Sequence, residues 1–116
     1  MESKTVQDCV FCKIISREIP AKIIEENDDV LVIQDLHPKA PVHYLIITKK
    51  HIVNVGQMEE QDAFYPAKMM LMARDLSKKL SGDQSFRLLM NNGEGSGQSV
   101  FHMHMHFLSG KKMSDF

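Results

Sequence analysis

The chain has 116 residues and a formal net charge of −1, with 43% hydrophobic and 25% charged residues. This length excludes a two-domain architecture, since a single hydrophobic core usually occupies roughly 100 to 150 residues. The near-neutral charge excludes the strongly basic surface that gathers long nucleic acids. We therefore expect one domain over residues 1–116, with an ordered core of about residues 9–112 and no nucleic-acid polymer as partner.

No segment of the sequence indicates a membrane or a secretory route. The longest hydrophobic runs, at residues 44–47 and 69–73, fall far short of the 18 or more residues that span a bilayer. The first eight residues are polar and lack the apolar centre of a secretory signal. These observations predict a cytoplasmic protein with no membrane partner.

The first half of the chain predicts one short helix followed by strands. Residues 11–17 suit a short helix that ends before Ile19-Pro20. Residues 22–26 and 30–35 are β-branched segments separated by a turn-rich run, which predicts a hairpin. Residues 43–49 hold a nearly continuous apolar run, which is typical of a central strand covered on both faces.

The second half predicts one long helix over residues 61–80. Asp62 is its expected N-cap, because Pro66 is tolerated only in the first turn. Apolar residues spaced three or four apart form a stripe along it: Tyr65, Met69, Met72, Leu76 and Leu80. Further apolar residues widen this stripe, which fits either ordinary core packing or burial by a second subunit: Phe64, Met70, Leu71 and Ala73.

Two more strands are expected after the long helix, at residues 86–90 and directly after a glycine-rich loop at residues 91–99. Five strands flanking one long helix, with hairpin-length connections early in the chain, are typical of an α+β protein with a mostly antiparallel sheet. The sequence thus predicts a five-stranded sheet, one long helix and one short N-terminal helix.

Three histidines alternate along the last predicted strand. Since side chains on a strand alternate between faces, His102, His104 and His106 should project to one side of the sheet. Three imidazoles on one face are hard to explain by packing, so we interpret them as a functional cluster. From the residues alone, the cluster could bind a metal or attack phosphorus.

The glycine-rich loop precedes these histidines directly. Its three glycines, at positions 93, 95 and 97, let backbone N–H groups approach an anion closely. The loop lacks both the Lys-Ser/Thr ending of a P-loop and the G-x-G-x-x-G of a dinucleotide fold, so by itself it is a weak signal. Its adjacency to the histidines favours a phosphate cradle over an ordinary flexible loop.

Residues 97–108, GQSVFHMHMHFL, resemble the signature of the histidine triad (HIT) superfamily. Residues 17–24, 35–43 and 49–52 also match that family in order and spacing, and the resemblance covers about residues 9 to 112. Gln98-Ser99 is similar to the histidine triad nucleotide-binding (HINT) branch rather than to the fragile-histidine-triad dinucleoside polyphosphate hydrolases. The resemblance implies a HIT-like homodimer.

The resemblance also implies a reaction. His104 would attack the α-phosphorus of a purine nucleoside 5′-phosphoramidate and form a nucleotidyl-histidine, which water hydrolyses to AMP or GMP. Its ring would be neutral, with the other nitrogen donating to a backbone carbonyl on the neighbouring chain segment. Ser99 and His106 would contact phosphate oxygens or protonate the leaving group, and His43 would orient the site.

A nucleotide pocket follows from the same residue-by-residue match. Asp35 would accept hydrogen bonds from the ribose hydroxyls. Four apolar residues, which periodicity alone assigns to the core, would wall the base: Phe11, Ile14, Ile33 and Leu36. The loop and the histidines would surround the phosphate: Asn91, Gly97, Gln98, Ser99, His104 and His106.

Cys9 and Cys12 form a second, separate constellation. Two thiolates and two imidazole nitrogens make a tetrahedral zinc site, and the superfamily members that carry this C-x-x-C imply His51 and His102 as the nitrogen ligands. Such a closed site would be structural, and the catalytic set would shrink to His104, His106 and His43. A redox role for the two cysteines is disfavoured, because the residues around Cys9 lack a thioredoxin-like strand–turn–helix context. Two unrelated thiols remain an alternative to the zinc site.

Three other functions compete with the phosphoramidase. One is dinucleoside polyphosphate hydrolysis. The second is a zinc metallohydrolase, in which His102, His104 and His106 hold a catalytic metal with an open water position. The third is a non-catalytic module that binds a nucleotide or a partner protein.

Overall fold

The fold is an antiparallel sheet flanked by two helices, in a computed structural model that describes residues 8–114. The sheet consists of β1 (Ile23–Glu26), β2 (Val30–Gln34), β3 (Val42–Thr48), β4 (Phe86–Leu89) and β5 (His104–Ser109). The helices are the short α1 (Val10–Ile15) and the long α2 (Phe64–Ser77). The strand order is β1-β2-β3-β5-β4, and every neighbouring pair is antiparallel. The predicted five-stranded α+β architecture is confirmed.

Short turns of 3₁₀-helix complete the connections, at Val55–Gln57, Glu60–Asp62 and Glu94–Ser96. Residues 1–7 and 115–116, which belong to the chain ends beyond the predicted ordered core, lie outside the described residues. No helix between residues 8 and 114 is long and apolar enough to cross a membrane.

The alternation of side chains along the strands divides the core between the two faces of the sheet. One face packs on α2, and the buried members of this part of the core are Val30, Val32, Ile46, Ile52, Met69, Met72, Ala73, Leu76, Met103, Met105 and Phe107. The other face packs on α1, and its buried members are Cys9, Phe11, Cys12, Ile14, Leu31, Ile33, Leu45 and Ile47. The histidines that alternate with Met103, Met105 and Phe107 therefore lie on the α1 face.

The central strand is β3, as its apolar run predicts. It pairs with β2 on one side and with β5 on the other. Ile46 belongs to the α2 face, whereas Leu45 and Ile47 belong to the α1 face, so both faces of the strand are covered. The predicted hairpin is formed by β1 and β2, which pair antiparallel. In its turn, the Asn27 side chain accepts hydrogen bonds from the backbone N–H groups of Asp29 and Val30, both at 2.9 Å.

The long helix is shorter than its predicted range and starts differently. Asp62 is not its N-cap, because the Asp62 carboxylate accepts from the backbone N–H of Glu59 at 3.0 Å and so caps the preceding 3₁₀ turn. Lys50 donates to the other oxygen of the same buried carboxylate at 2.5 Å. Ala63 occupies the cap position of α2, and Pro66 falls in the first turn as expected. The predicted stripe is confirmed, with Tyr65 and Leu80 packed at the two ends of the buried set.

The last strand begins later than the sequence predicts. β5 starts at His104, and His102 lies in a bend just before it. The backbone of Met103 bonds across to Ile52 at 2.6 Å, so the chain here joins the segment that follows β3. His102 consequently keeps the face of His104 but sits at the end of the sheet, beside α1.

Candidate active site and metal centre

Cys9, Cys12, His51 and His102 converge into one cluster at the end of the sheet, as the sequence predicts. Their four potential ligand atoms all lie within 4.8 Å of one another. Nδ1 of His102 is 3.2 Å from Sγ of Cys9, 3.6 Å from Sγ of Cys12 and 3.2 Å from Nδ1 of His51. Sγ of Cys12 is 3.3 Å from Nδ1 of His51.

These separations fit a tetrahedral zinc ion. With Zn–S bonds of about 2.3 Å and Zn–N bonds of about 2.0 to 2.1 Å, a tetrahedron requires roughly 3.6 Å between sulfur and nitrogen and roughly 3.3 Å between the nitrogens. The observed distances are the same or a few tenths of an ångström shorter. The donor set, two thiols and two imidazoles, is also one of the sets that bind structural zinc.

The buried ring of His102 presents the correct nitrogen to such an ion. Its Nε2–H donates to the backbone carbonyl of Thr48 at 2.6 Å, which leaves the Nδ1 lone pair for the cluster. Burial lowers the pKa of His102 to about 4. The backbone N–H of Cys12 donates to the sulfur of Cys9 at 3.3 Å, so the first turn of α1 supports the cluster.

His104 is held by the same residue that completes the metal cluster. Nδ1–H of His104 donates to the carbonyl oxygen of His102 at 2.7 Å. In a neutral imidazole this leaves the lone pair on Nε2, the state that a nucleophile requires. The acceptor is the carbonyl two residues upstream, in the bend that precedes β5, not one on a neighbouring segment as expected. Phe11 packs edge-on against this ring, with 5.0 Å between centroids, and so connects α1 to the candidate nucleophile.

His106 belongs to a different cluster, with His43 and Asp35. Nδ1 of His106 is 2.9 Å from Nε2 of His43, and a carboxylate oxygen of Asp35 is 3.4 Å from that same Nε2. The backbone N–H of Lys39 donates to Nδ1 of His43 at 2.9 Å. Burial, followed by the neighbouring His104 and His43, lowers the pKa of His106 to about 4. Burial is also the main cause that lowers the pKa of His43.

The three alternating histidines therefore do not surround a common point. His102 joins the cysteines, His106 joins Asp35 and His43, and Nδ1 of His104 is taken by a carbonyl. Within residues 8–114, the clusters of potential ligand atoms do not combine His102, His104 and His106. The alternative of one catalytic metal held by all three rings is thus wrong, because each of the three rings faces different partners.

The glycine-rich loop is anchored by Gln98. Its buried amide donates to the carbonyls of Val53 and Val100 at 2.7 and 3.1 Å. Its carbonyl oxygen accepts from the backbone N–H of Gly93 at 2.7 Å and from Asn54 at 3.2 Å. Every donor and acceptor of this side chain is therefore used inside the protein, so Gln98 shapes the loop and its side chain has no group left for a nucleotide.

The other predicted loop residues differ in exposure. Ser99, directly after Gln98, is exposed. Asn91 is half-buried, and its side chain lies close to Gly97, about 4 Å from where a Cβ on that glycine would stand. Asn91, Gly97 and Ser99 thus remain together on the loop that leads to the histidines.

The predicted pocket walls fall into two groups. Phe11, Ile14 and Ile33 are buried in the core of the α1 face. Leu36 is 88% exposed and lies outside that core, directly after Asp35 in the sequence. Three of the four predicted wall residues therefore lie on the same face of the sheet as the histidines.

Sequence reasoning missed three groups that form hydrogen bonds with the predicted site residues. The carbonyl of Thr48, the amide of Lys39 and the side chain of Asn54 each bond to a predicted site residue. The first two are backbone groups, which every residue carries, so no residue type could have indicated them. Asn54 lies between β3 and α2 with no motif around it.

Zinc loading should stabilise the chain through Cys9, Cys12, His51 and His102. We expect one equivalent of zinc to bind and to raise the free energy of unfolding, by about 2.7 kcal/mol when free zinc is about 100-fold above its Kd. Cys12→Ser should abolish this gain, because three ligands remain. The measurement is urea denaturation with and without chelator, alongside metal analysis. Asp35→Asn is the matched control and should keep the gain; equal behaviour of the two variants would contradict the assignment.

Stability should fall in mild acid because His106 and His43 are held neutral. The unfolded pKa of histidine is about 6.5 and that of folded His106 is about 4, so the unfolded chain binds more protons between these values. The free energy of unfolding should therefore decrease as the pH falls from about 6.5 to about 4. Urea denaturation at about pH 7.5 and about pH 5 measures this decrease, which should be smaller in His106→Asn. An identical decrease in both proteins would show that His106 does not contribute.

Comparisons with known proteins agree with this geometry. The HIT domain model matches residues 16–113. An uncharacterised HIT-like protein from Synechocystis sp. is 41% identical over 108 residues, covering 93% of this chain and 95% of that protein. A HIT family hydrolase from Clostridium thermocellum is 42% identical with a TM-score of 0.91, covering 97% of this chain and 98% of the other. A Zn-bound histidine triad family protein from Mycobacterium smegmatis is 29% identical with a TM-score of 0.79, covering 90% and 76%. The chain belongs to the HIT domain family.

Proposed function

We propose that this HIT protein is a hydrolase of the HINT branch that cleaves purine nucleoside 5′-phosphoramidates and releases AMP or GMP. The observation that carries the proposal is the 2.7 Å hydrogen bond from Nδ1–H of His104 to the carbonyl of His102. It leaves Nε2 of a buried, uncharged ring as a nucleophile. The Gln98-Ser99 pair supports the HINT branch, and a similar HIT protein is a hydrolase by name.

In the first step, Nε2 of His104 attacks the α-phosphorus. A nitrogen–phosphorus bond to His104 forms, the bond from phosphorus to the leaving amine breaks, and the departing nitrogen takes a proton. Ser99 and His106 are the proposed groups that contact the phosphate oxygens or supply this proton. Backbone N–H groups of the loop at residues 91–99 stabilise the negative charge that grows on phosphorus.

In the second step, water attacks the same phosphorus. The bond to His104 breaks, the nucleoside monophosphate leaves, and His104 returns to its neutral state with the proton still on Nδ1. The carbonyl of His102 accepts a hydrogen bond from this Nδ1–H in both steps, so the ring keeps the same orientation. The group that takes a proton from the water is again His106 or Ser99, since the second step reverses the roles of the first.

We propose that the nucleotide lies on the α1 face. Asp35 accepts from the ribose hydroxyls, and the base packs against Phe11, Ile14, Ile33 and Leu36. Asn91, Gly97 and Ser99 contact the phosphate with His104 and His106. Gln98 contributes by holding the loop in shape, since its own hydrogen-bond groups are engaged.

We propose a structural zinc ion as the cofactor of this chain, held by Cys9, Cys12, His51 and His102. The tetrahedral separations support it, and a histidine triad family protein from Mycobacterium smegmatis is Zn-bound. The ion supplies cross-linking rather than chemistry, because all four positions of a tetrahedron are filled by protein. Two neighbouring cysteines present as thiols are typical of a reducing compartment, which supports the cytoplasm as the location.

The test is release of AMP from adenosine 5′-phosphoramidate. The wild type should turn over, and His104→Ala should be slower by about three orders of magnitude or more, because it removes the nucleophile. His37→Ala, which changes an exposed histidine outside the proposed site, is the matched control and should keep the wild-type rate. Chelation should leave turnover intact wherever circular dichroism shows that the fold is retained.

Other results would assign other functions. Turnover of diadenosine polyphosphates but not of the phosphoramidate would place the chain with the dinucleoside polyphosphate hydrolases. Affinity for AMP without turnover of either would indicate a nucleotide-binding module. Equal rates for His104→Ala and the wild type would reject His104 as nucleophile.

We also propose that two copies associate through the outer face of α2. Phe64, Met70 and Leu71 are 45%, 56% and 43% exposed, although they are large and apolar. Several large apolar side chains exposed on one surface helix are typical of a protein contact. A second copy of the chain would remove these side chains from water, as the widened apolar stripe in the sequence suggests.

Sedimentation equilibrium tests the association. The wild type should sediment as a dimer, whereas Met70→Glu should sediment as a monomer, because it places a charge in the apolar contact. Lys78→Glu adds negative charge at an exposed position just beyond the same helix and should remain a dimer. A monomeric wild type, or a dimeric Met70→Glu, would contradict this interface.

A further inference from the structure

The cluster of Asp35, His43 and His106 has the composition of a metal site, but its side chains also contact one another at hydrogen-bonding distances. Its ligand atoms lie within 4.8 Å of one another, and two histidines with one carboxylate are a common ligand set for transition metals. The same distances also allow a chain of hydrogen bonds. The hydrogen-bond partner of each ring nitrogen decides between these two possibilities.

The backbone amide of Lys39 determines which nitrogen of His43 carries the proton. An amide N–H can only donate, so Nδ1 of His43, at 2.9 Å, must accept and therefore carries no hydrogen. A neutral imidazole has one N–H, which in His43 must then be on Nε2. Protonating Nδ1 as well would point one N–H at another, so this contact also opposes the charged form of His43.

The proton on His43 in turn determines the tautomer of His106. Nε2–H of His43 faces Nδ1 of His106 at 2.9 Å and a carboxylate oxygen of Asp35 at 3.4 Å. Both are acceptors, so the shorter contact makes Nδ1 of His106 the acceptor. The single proton of a neutral His106 then lies on Nε2. Among residues 8–114, no hydrogen-bond partner of that Nε2 is found, which leaves this N–H for a bound molecule.

We propose that the backbone amide of Lys39 is a tautomer-setting group, which acts through His43 to make His106 a hydrogen-bond donor toward the substrate phosphate and keeps metal ions out of this cluster. The donor role rests on the proposed function. A ring fixed as donor at Nε2 suits phosphate oxygens, which only accept at neutral pH. The lowered pKa values of His43 and His106 agree, because both rings are then neutral.

The exclusion of metal follows from the same hydrogen bond. A metal ion on Nε2 of neutral His43 requires the proton on Nδ1, where it would meet the N–H of Lys39. His102 shows the opposite arrangement, because its Nε2–H donates to the Thr48 carbonyl and frees Nδ1 for the cysteine cluster. A backbone carbonyl behind the ring thus favours metal binding, and a backbone amide disfavours it.

The tautomers can be read directly by NMR of the zinc-loaded full chain labelled with ¹⁵N in the histidine rings. We expect His43 and His106 each to be protonated at Nε2 and bare at Nδ1, with no change in either ring when zinc is added beyond one equivalent. A proton on Nδ1 of either ring, or zinc-dependent shifts of both, would overturn the proposal. This readout needs no turnover, so it remains decisive if the phosphoramidase assignment fails.

Two substitutions of His43 separate the donated hydrogen bond from simple packing. In His43→Gln, the side-chain amide reaches about as far as the imidazole Nε2 and still donates to His106, whereas His43→Met has similar length and no donor. We expect His106 to stay protonated at Nε2 in His43→Gln and to become a mixture of tautomers in His43→Met. The kcat of the Met variant should be about tenfold lower than that of the Gln variant. The wild-type tautomer of His106 in both variants would show that His43 does not set it.

Lys39→Ala tests whether the backbone or the side chain of Lys39 is responsible. The substitution removes the ammonium group but keeps the backbone N–H that bonds to His43. The ring ¹⁵N pattern of His43 and His106 should therefore be the same as in the wild type. A change of tautomer in Lys39→Ala would assign the effect to the ammonium charge and overturn the role of the amide.

Discussion

His102 bonds in three directions, and the rest of the site depends on this residue. Its Nδ1 faces the cysteines, its Nε2–H donates to Thr48, and its carbonyl accepts from His104. The first two contacts fix the ring at the end of the sheet, and the third orients the proposed nucleophile. The residue whose ring faces the cysteines therefore also keeps Nε2 of His104 unprotonated, through its backbone carbonyl.

Backbone hydrogen bonds divide otherwise similar histidines into different roles. A carbonyl stands behind His102 and another behind His104, whereas an amide stands behind His43. A carbonyl forces the adjacent ring nitrogen to be a donor, and an amide forces it to be an acceptor. The opposite nitrogen then directs a lone pair toward the cysteines in His102, keeps a lone pair in His104 and carries an N–H that faces His106 in His43. One residue type thus takes three hydrogen-bonding arrangements in the same site.

Much of this fold follows from local pattern. The five strands, the central position of β3 and the stripe on α2 were predictable because alternation and helical spacing reflect which side chains are buried. The starts of α2 and β5 were not predictable in this way, since Asp62 caps the turn before α2 and His102 precedes β5. Those boundaries depend on contacts with Lys50 and Ile52, which are distant in sequence and compete with the local preference.

The sequence by itself determined which reactive groups the protein has and that His104 and His106 share a face, because strand geometry leaves no other arrangement. Through the family resemblance, it also indicated that Cys9, Cys12, His51 and His102 belong to one cluster. Only the tertiary structure decided that the histidines divide between two clusters, that the side chain of Gln98 is fully hydrogen-bonded within its loop, and which nitrogen carries the proton in His43, His102 and His104. These outcomes depend on backbone groups of Lys39, Thr48 and Val53, whose chemistry is common to all residues and whose importance comes solely from position.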